Sequence, residues 1–191
     1  MSESISFHSQ GLQLSGTLHR TAAAETPLIV GLHGLFSDSN SPKQLTLAER
    51  CNAAGIAYLR FDHRGCGQSQ GDLEIDTTFD GRCGDLSAAV AWAKTHLPDG
   101  SPLGLFGSSY GGSVALAMAE AVKARAVATV AAPIRSGTLK GAIADPAAPA
   151  FLSDPNFRKR LQFDITGCLK SVHHLLLFHG DRDEIVPVAH A

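Results

Sequence analysis

Apolar and polar residues alternate from Ile5 to His19 around a turn containing Gly11, which predicts a hairpin of two strands. The run PLIVGLHG follows, apolar on consecutive positions and closed by glycine. It reads as a strand buried on both faces. Ser41-Pro42 supplies a cap and first position for a helix running to about Ala54 and stopped by Gly55, and IAYLRFD is the next strand. From about Thr78 to His96 the spacing of Leu86, Ala89, Val90 and Ala93 predicts a helix that buries one face. PLGLF then reads as a strand, GSVALAMAEAV as a helix, and AVATVAA and HHLLLFHG as further strands. Strands alternating with helices predict an α/β protein: a mostly parallel sheet with helices on both faces, preceded by an antiparallel N-terminal hairpin. Only Pro133–Asp164 breaks the rhythm. It holds four prolines and little periodicity, and is expected to be a small lid or insertion near the carboxyl ends of the strands.

Composition narrows the partners. The 191 residues suffice for one domain, and 44% hydrophobic with 18% charged residues is ordinary globular composition. A net charge of −2 without a basic stripe argues against nucleic acid as a partner. No apolar run approaches the ~20 residues that span a bilayer, and the start, MSESISFHSQ, lacks the basic residues and apolar stretch of a signal peptide. The four cysteines are widely spaced, with no C-x-x-C pair, and are expected to be reduced thiols of a cytoplasmic protein.

The chain contains Gly-x-Ser-x-Gly twice, as GQSQG (67–71) and GSSYG (107–111). In a glycine-rich chain such a pattern arises by chance roughly once in ten sequences, so context decides between them. A reactive serine on this pattern needs a strand running straight into a tight turn and a helix leaving it. GSSYG has both: Leu103–Phe106 enters it and Gly112–Leu116 leaves it, so Ser109 projects where a helix N-terminus favours developing negative charge. Ser108 is expected to pack beneath. GQSQG is followed by DLEIDTT, read as an acidic loop with no helix start, and Gln70 breaks any dinucleotide-binding G-x-G-x-x-G. Acyl transfer at Ser109 also needs oxyanion donors, expected from the backbone N–H of Tyr110 and, in the turn after the third strand, of Leu35. His33, which closes that strand, is expected to be a structural hydrogen-bonder.

HGLF (33–36), FDHRGCGQSQG (61–71), GSSYGG (107–112) and HGDRDEIVP (179–187) together resemble the α/β-hydrolase superfamily, in its esterase and serine-aminopeptidase-like branch, in order and spacing from about Ile5 onward. The resemblance implies the α/β-hydrolase fold and gives GQSQG a place in a D-x-R-G-x-G-x-S-x-G bracing loop, through Asp62, Arg64, Gly65, Gly67 and Ser69. It places the catalytic acid at Asp183, in G-x-x-D-x-x-V-P, with Asp181 a turn residue. It implies no cofactor and no metal. The cluster His179, Asp181, Asp183 and Glu184 does not have the spacing of a defined metal-ligand set.

In this superfamily the base follows the acid on a later strand. The only histidine after Asp183 is His190, expected in the first turn of a helix, so the base and the last strand and helix are expected beyond Ala191. Three functions remain open at this stage: a serine hydrolase of small carboxylic esters, a peptidase of the same fold, and an inactive binding protein using the same pocket.

Overall fold

A computed structural model describes residues 2–21, 26–139 and 150–190. Its seven strands form one sheet, built from β1 (Ser2–Ser9), β2 (Leu12–His19), β3 (Leu28–Leu32), β4 (Ala57–Phe61), β5 (Leu103–Ser108), β6 (Ala126–Val130) and β7 (Leu175–Phe178). The spatial order is β1-β2-β4-β3-β5-β6-β7. β1, β2 and β4 pair antiparallel, and the remaining pairs are parallel. The hairpin turn is Gln10-Gly11, both at positive φ (48° and 89°), the geometry that matches strand twist in a two-residue turn.

The order sets the position of the site. From β3 the chain goes to β4 on one side, and β5 then enters on the other. The carboxyl ends of β3 and β5 therefore flank a crevice where ligands bind in open α/β sheets. Leu32 pairs with Gly107, so the turn after β3 meets the turn after β5.

Helix α1 (Pro42–Ala53) has proline in its first turn as expected, although the Ser41 side chain makes no capping hydrogen bond. Helix α3 (Phe79–His96) is capped by Thr78, whose hydroxyl accepts from Gly81 N–H at 2.8 Å, and it buries Leu86, Ala89, Val90 and Ala93. Helix α4 (Tyr110–Met118) ends earlier than its apolar run. Lys123 turns left-handed (φ 61°) and Ala124 N–H returns to Ala119 O, which closes the helix.

Two expectations need correction. The stretch after GQSQG is not a plain loop: Asp72 accepts from Glu74 and Ile75 N–H and starts a one-turn helix, α2 (Leu73–Asp76). The proline-rich region also contains regular structure. Asp154 caps helix α5 (Pro155–Arg160), with proline at its first position. Leu152 and Phe157 of this region join the main core. The part of the expected lid that includes Pro146 and Pro149 lies outside the described residues. The four cysteines are free thiols, and no helix among the described residues is long and apolar enough to cross a membrane.

Candidate active site

Ser109 occupies the single residue between β5 and α4, with φ 52° and ψ −126°. A side chain other than glycine held there stores about 1–3 kcal/mol of strain, and packing enforces it. A Cβ on Gly107 would come within 2.5 Å of Gly111 O and Gly112 Cα, and one on Gly111 would collide with His33 O. Only glycines on both sides let helix α4 leave so tightly against β3. Ser109 N–H donates to Val130 O at 2.8 Å, which fixes the turn to β6. Its hydroxyl has no hydrogen-bond partner among the described residues and faces a cavity of about 490 Å3.

Ser69, the serine of the other Gly-x-Ser-x-Gly, is in the opposite condition. Its Oγ donates to Asp62 O at 2.5 Å and accepts from Ser15 N–H at 2.9 Å. The Asp62 carboxylate in turn accepts from Ser39 and Gln68 N–H. Arg64 donates through Nη2 and Nε to the buried Asp85 on α3, the shorter contact being 2.7 Å. GQSQG is thus knitted into a loop that ties β2 and β4 to α3.

The turn after β3 places Leu35 in the same cavity as Ser109 and Tyr110. Gly34 O accepts from His33 Nδ1 at 2.7 Å, from Arg82 Nη1 at 3.3 Å and from Ser37 N–H at 3.4 Å. In a planar trans peptide the N–H points opposite to the carbonyl. Anchoring Gly34 O therefore turns Leu35 N–H the other way, and it has no partner among the described residues. Tyr110 N–H, the first donor of α4, is also without one, as helix N-termini leave it. Leu35, Ser109 and Tyr110 all line one cavity.

His33 is buried and both ring nitrogens are committed. Since Gly34 O can only accept, Nδ1 carries the proton and Nε2 accepts from His63 N–H at 3.0 Å. Burial, with His63 and Arg82 nearby, holds its pKa well below the usual histidine value, so it is neutral. The expected structural role holds. Behind it, burial lowers His63 to about 4. Burial alone would raise Asp85, but hydrogen bonds from His63 and Arg64 outweigh it and hold that carboxyl below the usual carboxylate range.

Asp183 stands in the loop after β7. Its Oδ1 accepts from Ile185 and Val186 N–H at 2.9 and 2.8 Å, while Oδ2 lies 3.7 Å from His179 Nε2. This loop reaches the cavity through Ile185. Asp181 is exposed in the turn, and His190 lies in a single 3-10 turn, Val188–His190. Among the described residues no three His, Cys, Asp or Glu side chains group to hold a metal.

Sequence reasoning missed Arg82, Asp85 and Lys43. Arg82 and Asp85 are charged residues on the apolar face of α3, a break in its pattern that could have flagged them. Lys43 Nζ donates to Ser108 Oγ at 2.8 Å across 65 positions, which no local signal announces.

Comparison with known proteins gives this geometry its relatives. The profile of the family described as serine aminopeptidase, S33 matches residues 23–154. The chain belongs to this family, within the α/β-hydrolase superfamily. In sequence, this α/β hydrolase is 36% identical over 109 residues to the bovine (Bos taurus) mitochondrial palmitoyl-protein thioesterase ABHD10, covering 57% of the chain and 33% of that protein. It is 33% identical over 117 residues to the quorum-quenching protein AidA of Acinetobacter baumannii, covering 60% and 38%. The chain thus matches well under half the length of these curated relatives. In structure, it is similar to esterase Pf2001 of Pyrococcus furiosus (TM-score 0.82, 24% identity, 100% of this chain and 75% of that one). It is also similar to Est1E of Butyrivibrio proteoclasticus with bound ferulic acid (TM-score 0.81, 22% identity, 97% and 82%). At these identities the structural likeness shows the fold.

Proposed function

We propose that this α/β hydrolase cleaves carboxylic esters of small molecules through an acyl-enzyme on Ser109. The observation that carries the reading is that one hydroxyl and two backbone N–H groups without a partner among the described residues belong to residues lining one cavity. Ser109 Oγ attacks the ester carbonyl carbon, and its proton passes to a base. The carbonyl oxygen takes up negative charge facing Leu35 and Tyr110 N–H. Collapse expels the alcohol, which takes the proton from the base and leaves the acyl group on Oγ. Water, deprotonated by the same base, then releases the carboxylic acid and restores the serine.

The base we assign to a histidine oriented by Asp183 and distinct from His33. Supporting this, both nitrogens of His33 are spent on backbone groups. The residues of 133–164 that line the cavity, among them Leu152 and Phe157, act as its cover. The name of one sequence relative, a palmitoyl-protein thioesterase, fits acyl transfer to water.

The family's description keeps a peptidase as the second reading. The test is a substrate panel on the full-length protein. Turnover of p-nitrophenyl esters, abolished by Ser109→Ala, supports the esterase; faster turnover of aminoacyl anilides replaces it with the peptidase.

A further inference from the structure

Among the described residues, the lining of the cavity around Ser109 contains two cations, Lys43 and Arg158, and no aspartate or glutamate. The chain as a whole has more acids than bases, 18 against 16, so the bias is local. Lys43 has no carboxylate partner among the described residues; its ammonium donates only to Ser108 Oγ, at 2.8 Å. Its position also works against the fold. It stands in the first turn of α1, where a cation opposes the helix dipole, and that turn contains no acidic residue to offset it.

Ser108 is buried, and its hydroxyl, while accepting from Lys43, keeps its own hydrogen to donate. The two ammonium hydrogens not spent on Ser108, with the Ser108 hydroxyl hydrogen, suit the two oxygens of a carboxylate. Ser108 and Ser109 are consecutive, about 3.8 Å apart between Cα atoms. Lys43, Ser108 and Ser109 line the same cavity, so an anion on this pair shares it with a carbonyl at Ser109.

We infer that Lys43 and Ser108 form a carboxylate subsite, and that the substrate is a short ester bearing a free carboxylate. The inference rests on the reading of Ser109 only for where the ester carbonyl lies.

The test is equilibrium binding to the full-length protein carrying Ser109→Ala, followed by NMR titration with monomethyl glutarate and its neutral counterpart, dimethyl glutarate. The monoanion binds roughly tenfold tighter, as a charge-assisted contact provides. Lys43→Met removes that preference and Arg158→Met retains it. Equal binding of the two ligands, or a preference that survives Lys43→Met or depends on Arg158, overturns the subsite. With Ser109 present, faster turnover of mono-p-nitrophenyl glutarate than of 4-acetoxybenzoate places the carboxylate on the acyl side, and the reverse places it on the leaving side. An anion preference in a protein that hydrolyses no ester sustains the subsite and removes the esterase reading. Hydrolysis of neutral esters with no such preference does the opposite.

Discussion

The guanidinium of Arg82 is fully buried and donates to Leu35 O at 3.0 Å and to Gly34 O at 3.3 Å, with Cys66 Sγ at 3.2 Å and the Tyr110 ring 5.4 Å away. No carboxylate lies within ion-pair distance of it among the described residues, and its Nε has no partner. Burying a charge without a counter-ion is costly. The carbonyls it holds belong to the Gly34-Leu35 turn, which lines the cavity.

Under the proposed mechanism, Arg82 is a positioning residue for Leu35 N–H. Arg82→Met should lower kcat by roughly 10–100-fold, less than the ~100–1,000-fold for losing an oxyanion donor outright, with KM little changed. Arg82→Lys should recover part of the loss, since one ammonium can still reach one carbonyl. Steady-state kinetics on a p-nitrophenyl ester check this; a rise in KM at constant kcat contradicts it.

Ser69 should matter to stability and not to reactivity. Ser69→Ala leaves Asp62 O and Ser15 N–H each short of a partner, at a cost of about 1–2 kcal/mol in urea unfolding. Labelling of Ser109 by an active-site probe should be unchanged in the variant.

Strain at Ser109 predicts the reverse effect. Glycine adopts a φ of 52° freely, so Ser109→Gly should gain about 1 kcal/mol of stability while losing all esterase activity. Chemical denaturation of parent and variant measures it; a loss of stability would show that the turn is not strained.

Buried histidines set a pH dependence. His63 is lowered to about 4 and His33 is lowered too, so the unfolded chain binds their protons first as pH falls. Their stabilisation is present above about pH 6.5 and is lost as pH falls towards their folded values. Through His63 alone the loss is roughly 3 kcal/mol between pH 7 and 4. Asp85, also lowered, extends the loss below the ordinary carboxylate pKa. Urea unfolding across this range should show the slope, and His63→Gln, which keeps a donor for Asp85 but gains no proton, should flatten it.

Much of this fold is written in local patterns. The alternation around Gln10-Gly11, the capped face of α3 and the consecutive apolar runs of β3 and β5 each encode their element within a few residues. GSSYG was legible because strand and helix adjoin it directly. The short helix α2 was hidden because a single turn has no periodicity, and only its cap, Asp72, marks it. α5 was hidden by the prolines around it. Contacts between distant residues left no trace in sequence: Arg82 of α3 reaches Gly34 and Leu35, and Lys43 reaches Ser108 where β3 and β5 are neighbours in the sheet.

The central claim is that Ser109, and not Ser69, carries the acyl group. Treating the full-length protein with a fluorophosphonate and mapping the adduct by peptide mass tests it most directly. The account predicts one adduct, on the peptide containing Ser109, absent from Ser109→Ala and retained in Ser69→Ala. An adduct on Ser69, or labelling of Ser109→Ala equal to that of the parent, would contradict it.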